Sequence, residues 1–201
     1  MIELFVINLE ERIDRMENIN NKFSNYKINF IQAIKHNEGW KGCFLSHKKC
    51  LQIAKELNLK YIIVLEDDCE PKENFDSNLK SILVYLENNI SEWNIFLGAV
   101  TNVWDYNKCI NLTSCLDLIE ITQGKTYHFT IYNSNCYNFF LEREIDIPID
   151  KCWYNNLKSY TCVPFLATQL IGFSDIEKKN INYDSRFNSV EKNFLKLLNK
   201  L

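Results

Sequence analysis

Residues 61–68 read Tyr-Ile-Ile-Val-Leu-Glu-Asp-Asp: an apolar run ends in Glu66, Asp67 and Asp68, with Cys69 and Pro71 close behind. A run this short, rich in β-branched side chains and closed near a proline, reads as a buried central strand and not as a helix. In an open α/β sheet, ligands collect beyond the carboxyl ends of such strands. Three adjacent carboxylates repel one another unless a cation sits among them, and Mg²⁺ or Mn²⁺ with oxygen ligands suits such a cluster. A solvated turn built from Asp67, Asp68 and Glu70 fits the same residues, because acidic turns are common.

Working outward, the flanking sequence alternates strands and helices. Residues 2–9 form a strand, and residues 10–25 form a helix with Ile13, Met16, Ile19 and Phe23 at helical spacing. A second strand is expected over 26–34. A loop containing Gly39, Trp40 and Gly42 then leads to a helix over 43–58, whose inward stripe is Cys43, His47, Cys50, Ala54 and Leu57. The acidic strand comes third. A helix over 75–89, with Leu79, Ile82, Leu83 and Leu86 inward, and a strand over 93–97 follow it. Alternation of this kind argues for a parallel sheet wound in βα units.

The second half changes character. Strands near 116–121 and 127–133 follow without intervening helices, so mixed or antiparallel pairing is expected there. Residues 148–188, with Pro148, Pro164 and scattered aromatics, read as loops closing over a site. Asn188 and Glu191 have capping-box spacing at the start of a last helix, with Val190, Phe194, Leu197 and Leu201 on its apolar face. The expected organisation is a single domain over 1–201, with a βα half (1–100), a mixed, loop-rich half (101–188) and a C-terminal helix (189–201).

Composition narrows the classes. At 201 residues, 46% hydrophobic and 24% charged, the chain can bury a core without disulfides. A net charge of −3 and no long basic run argue against a nucleic-acid partner. Eight cysteines, none in a C-x-x-C pair or near a histidine spacing usable for zinc, read as small buried hydrophobes, Cys50 and Cys136 among them, in a reducing compartment. The start lacks a basic segment followed by a long apolar stretch, so neither a signal peptide nor a membrane span is expected. A cytoplasmic location follows as the expectation, and the sequons at Asn89 and Asn111 then carry no weight.

Three segments occur together in order: Val-Ile-Asn-Leu-Glu-Glu-Arg-Ile-Asp-Arg at 6–15, Gly-Cys-Phe-Leu-Ser-His at 42–47 and Val-Leu-Glu-Asp-Asp at 64–68. In sequence and spacing the chain resembles glycosyltransferase family 25, which includes lipopolysaccharide and collagen galactosyltransferases. The resemblance covers residues 2–70 and, more loosely, a later stretch with Pro148, Asp150, Pro164, Gln169 and Ser174-Asp175-Ile176. It implies a GT-A-type fold: a Rossmann-like mixed sheet flanked by helices, presenting Glu66-Asp67-Asp68 to a sugar nucleotide and its Mn²⁺ or Mg²⁺. The implied reaction moves a hexose, galactose or glucose, from a UDP-sugar to a hydroxyl of a glycan or glycoprotein acceptor.

Each residue then has an expected duty. Asp68 is the first choice as metal ligand, with Glu66 as a second ligand or a ribose contact, and Asp67 in either role. Asn8 and Leu9 end the first strand, where base or ribose contacts form, and Arg12 and Arg15 can hold phosphate or make surface ion pairs. The surface-pair reading has more weight for Arg15 than for Arg12. Ser46 either donates to a phosphate or bonds back to its own helix. His47 either lines the donor site or is a satisfied core histidine. A base for the acceptor hydroxyl is sought in Asp150, then Asp175. His128, among strand aromatics, reads as structural, and Trp40, Trp104, Trp153 and Tyr154 are candidates for stacking on sugar or uracil, Trp40 and Trp153 foremost. A non-catalytic sugar-nucleotide or partner binder, and a metal-dependent phosphohydrolase, are the competing classes.

Overall fold

In a computed structural model, residues 1–103 and 106–199 are described, so Trp104 and Leu201 lie outside the described residues. The first half follows the expected alternation: β1 (Glu3–Asn8), α1 (Ile13–Lys22), β2 (Lys27–Gln32), α2 (Gly39–Glu56), β3 (Tyr61–Glu66), β4 (Cys69–Pro71), α3 (Phe75–Asn88) and β5 (Ile95–Leu97). The second half runs β6 (Tyr106–Thr113), β7 (Leu116–Ile121), β8 (Phe129–Asn133), a 3₁₀ turn, α4 (Tyr137–Leu141), β9 (Ser159–Val163), β10 (Ala167–Gln169), β11 (Gly172–Ser174), β12 (Lys179–Ile181) and α5 (Asp184–Leu197).

Eight strands form one sheet in the order β2-β1-β3-β8-β5-β9-β7-β6. β1 pairs parallel with β2 and β3, whereas β8 inserts antiparallel between β3 and β5, and β7 runs antiparallel to β9. This is the mixed sheet flanked by helices that the resemblance implies. Two small antiparallel pairs sit outside it, β4 with β10 and the hairpin β11–β12.

β3 shows why its apolar run is continuous. Ile62 and Val64 enter one core, shared with Phe44, Leu51 and Ala54 of α2, while Ile63 and Leu65 enter the other, shared with Leu79, Ile82 and Leu86 of α3. Side chains alternate faces along a strand, so a sheet covered on both sides needs apolar residues at every position. Each fully buried aliphatic side chain of this kind contributes about 1.5–3 kcal/mol.

Several boundaries differ from expectation. α2 begins at Gly39, so Gly39, Trp40 and Gly42 lie in its first turns. A Cβ on Gly42 would sit 2.5 Å from the Ile34 carbonyl oxygen, and one on Gly39 would sit 2.8 Å from Ile176 Cα. Glycine is therefore used for close approach, which lets the β2–α2 connection and the β11–β12 hairpin press against the helix start. Leu57 and Ile13 are exposed, because the register of each helix turns them outward; Leu51 takes the core position in α2. α5 starts at Asp184, so Asn188 lies inside it and caps nothing, and Glu191 instead accepts from Lys72 Nζ (2.8 Å) and the Phe165 amide (2.6 Å). The stretch 148–188 is not only loops: β9 is wholly buried in the main sheet, and three short strands follow it.

Among the described residues, no helix is long and apolar enough to cross a membrane. All eight cysteines are unbridged; Cys50 and Cys136 are buried as expected, whereas Cys109 and Cys115 are exposed.

Candidate active site

The site lies beyond the carboxyl ends of β1 and β3. Parallel pairing sets Ile7 beside Glu66, so Asn8 and Leu9 leave the sheet next to the point where the carboxylates emerge. Asp67 and Asp68 form a two-residue turn into β4, and pairing of β4 with β10 brings Gln169 back over it. Gln169 Nε2 donates to Asp68 Oδ2 at 3.2 Å, while the buried Asp68 Oδ1 has no hydrogen-bond partner.

Two clefts of about 350 Å³ each meet here, sharing Cys43, Glu66 and Asp68 in their walls. The first is bounded by Leu9, Arg12, Arg15, Ser46 and the acidic turn, with Phe173 to Ile176 of the β11 segment across from them. The second contains Trp40, Lys125, Tyr127, Asp150, Gln169 and Arg186. The two base candidates are thereby separated: Asp175 faces the first cleft and Asp150 the second.

The duties weighed for each residue resolve unevenly. Arg12, not Arg15, makes the ion pairs, with Asp14 at 3.0 Å and Asp175 at 2.7 Å. Arg15 is buried, reaches the Phe173 carbonyl oxygen through Nη2 at 3.4 Å, and keeps Nη1 unpartnered in the cleft wall. Of the two readings weighed for Arg15, the surface pair fails because the β11 hairpin folds over it. Ser46 bonds back to the Gly42 carbonyl and accepts from the Ile34 amide, both at 2.8 Å. Its hydroxyl is thus engaged locally, within the first cleft's wall. Asn8 donates to the Leu9 carbonyl at 2.7 Å and leaves a buried Oδ1 unpartnered.

His47 proves to be both a satisfied core histidine and part of the acidic site. Its Nε2 lies 3.3 Å from Glu66 Oε1 and its Nδ1 2.8 Å from the Tyr132 hydroxyl. With the carboxylate accepting from Nε2–H, Nδ1 of the neutral ring accepts from Tyr132. One turn earlier on the same helix face, the Cys43 thiol donates to the same Glu66 oxygen at 3.3 Å. Cys43, His47 and Glu66 each offer a ligand atom within 4.8 Å of the others, a possible metal site. Sequence reading missed Cys43 and Tyr132. The Cys-x-x-x-His spacing on one helix was the available signal for Cys43, but nothing local marked Tyr132.

Electrostatics agree with a cluster made for positive charge. Burial raises Asp67 to about 6, with Glu66 adding to the effect and Arg15 and Arg12 opposing it. Burial, then repulsion from Glu66 and Asp67, pushes Asp68 well up. Burial acts upward on Glu66 too, but the hydrogen bonds from His47 and the Cys43 thiol, together with the positive charge His47 carries when protonated, outweigh it and hold this carboxyl below its ordinary range. Asp150 is raised, chiefly by burial.

The orphaned Asp68 oxygen is the kind of ligand a hard divalent cation takes, but among the described residues Asp67 and Asp68 do not join the group whose ligand atoms converge within 4.8 Å. His128 is structural, as expected, bonding the Ala167 carbonyl through Nε2 at 3.0 Å inside the core. Trp153 is fully buried and packs edge-on against Tyr154, so it cannot stack on a sugar; Trp40 lines the second cleft.

Comparison with known proteins agrees with this geometry. The crystal structure titled "Crystal Structure of A197 from STIV" superposes with a TM-score of 0.53 at 14% identity, covering 90% of this chain and 93% of that one, a likeness of fold. "Putative glycosyltransferase R655" of Acanthamoeba polyphaga mimivirus is 30% identical over an alignment 152 residues long that covers 63% of this chain. The aligned part is 44% of that relative's length, so the chain matches less than half of it. The family model described as "Glycosyltransferase family 25 (LPS biosynthesis protein)" matches residues 37–141, more than half of the chain and the segment that contains α2, β3 and the acidic turn. The mixed sheet, the acidic strand end and these matches together place the chain in glycosyltransferase family 25.

Proposed function

We propose that the protein transfers a hexose, galactose or glucose, from a UDP-sugar to a hydroxyl of a glycan or protein-linked acceptor. The observation that carries this reading is the meeting of two separate clefts at Glu66 and Asp68, because a transfer reaction must bring two substrates to one point. The donor occupies the first cleft. Its diphosphate faces Arg12 and Arg15, two permanent cations, and the opening turn of α2, whose positive end favours phosphate. Asn8 and Leu9 border the nucleoside.

The acceptor occupies the second cleft, with Trp40 and Tyr127 along its wall. In an inverting displacement, Asp150 takes the proton of the acceptor hydroxyl while its oxygen bonds to the anomeric carbon. The bond from that carbon to the β-phosphate oxygen breaks, and the electron pair leaves with the diphosphate. A raised Asp150 carboxyl is the stronger base for this step. Asp175 is held by Arg12 on the donor side and so ranks below Asp150. Mn²⁺ or Mg²⁺ on Asp68, with Glu66 and Asp67 beside it, would supply neutralisation of charge building on the leaving diphosphate.

Ligand binding to the folded state raises its melting temperature by mass action. A thermal-shift screen of sugar nucleotides with Mn²⁺ and with chelator therefore tests the donor. One UDP-hexose is expected to give a metal-dependent shift. No shift for any sugar nucleotide overturns the reading, and release of free phosphate without sugar transfer assigns a phosphohydrolase instead. Binding without either reaction assigns the non-catalytic alternative.

A further inference from the structure

We infer that Cys43, His47 and Glu66 form a second cation site, selective for a thiophilic divalent ion of the zinc class and distinct from the carboxylate site at Asp68. The donor set comes first. One sulfur, one imidazole nitrogen and one carboxylate oxygen form the ligand chemistry of zinc-like ions, whereas Mg²⁺ and Mn²⁺ favour oxygen alone.

Distances agree. Sγ and Nε2 each lie 3.3 Å from Glu66 Oε1. Ligands about 2.0–2.3 Å from a tetrahedral zinc ion lie roughly 3.3–3.5 Å from one another. Two of the three edges between ligand atoms are thus already at tetrahedral spacing, and the third, Sγ to Nε2, lies within 4.8 Å. Two of them come from consecutive turns of α2 and the third from the end of β3, so regular elements and not loops hold the geometry.

The surroundings fit as well. His47 is fully buried and its other ring nitrogen meets Tyr132, the kind of outer contact that orients a metal-binding imidazole. When an ion binds Nε2, the ring proton resides on Nδ1 and is donated to the Tyr132 oxygen. The Cys43 thiol loses its proton to solvent, so one proton leaves per ion bound. Cys43 and Glu66 line both clefts, which gives the ion an entry path and leaves its fourth position open to water or a substrate oxygen.

The inference does not rest on the transferase reading, and its test uses no sugar nucleotide. The metal-free full chain is titrated with Co²⁺ alone, following thiolate-to-cobalt charge transfer in the near ultraviolet and proton release. One equivalent with a charge-transfer band is expected. Cys43→Ser, with its fold checked by circular dichroism, loses the band, and Tyr132→Phe weakens binding about tenfold. The double variant Cys109→Ser/Cys115→Ser, altering the exposed thiols, keeps the band, and so does Asp68→Asn. A wild-type protein without the band, or a Cys43→Ser protein that retains it, overturns the site; loss in Asp68→Asn overturns its separateness from the carboxylate cluster.

Discussion

The two clefts meet at the same carboxylates yet are built in different ways. The first takes most of its wall from residues 7–15, 33–46 and 66–68, the ends of consecutive βα units, and only the β11–β12 segment comes from far along the chain. The second draws Trp40, Thr101, Lys125, Asp150, Gln169 and Arg186 from six separated segments. A cleft made by the winding of parallel units is written in contiguous motifs. One made by antiparallel insertions and crossing loops is not.

That contrast can be broken at its shared edge and then on each side. Asp68→Ala should have the largest effect, removing from both clefts the carboxylate whose Oδ1 has no hydrogen-bond partner: turnover falls about 10⁴-fold, corresponding to several kcal/mol of lost charge stabilisation, with circular dichroism unchanged. Full activity in this variant would remove the carboxylate turn from the mechanism. Asp150→Asn separates the clefts. It should lower kcat about 10³-fold while leaving the thermal shift with donor intact, because its carboxylate borders only the acceptor side. Loss of donor binding in this variant would mean that the clefts do not divide the substrates.

Acid should act through the second half of the fold. Burial lowers His128 from 6.5 to about 4, so between those values the unfolded chain binds a proton that the folded chain does not. Stability is therefore retained above about pH 6.5 and lost as pH falls toward 4, by up to about 3 kcal/mol. Denaturant unfolding across this range should show the slope, and His128→Gln should flatten it. The smallest effect is expected at Arg12, whose guanidinium is already shared between Asp14 and Asp175. Arg12→Ala should weaken donor binding about tenfold in a titration, with less change in kcat. An unaltered affinity would leave Arg15 as the cation that meets the diphosphate.

Legibility follows the same division. The strand at 61–66, the carboxylate turn and the helix carrying Ser46 and His47 could be read because each is a local pattern of period two or 3.6. The surface-pair alternative for Arg15 fell because its burial is imposed by Phe173, 158 positions away. β9, a run of five buried residues containing Ser, Thr and Cys, was hidden because its mixed composition suits a covered sheet position but also suits a loop. Trp153 looked available for stacking because its stretch reads as irregular, yet the core closes around it.

By itself the sequence determined the βα winding of the first half, the acidic strand end and the motif spacing that points to the family, because these depend on neighbours within a few turns. Only the tertiary structure decided which groups face that strand end. Antiparallel insertion of β8 brings Tyr132 to His47, and pairing of β10 with β4 lays Gln169 on Asp68. Those contacts span 85 and 101 residues, and no local periodicity encodes a meeting that only the closing of the sheet creates.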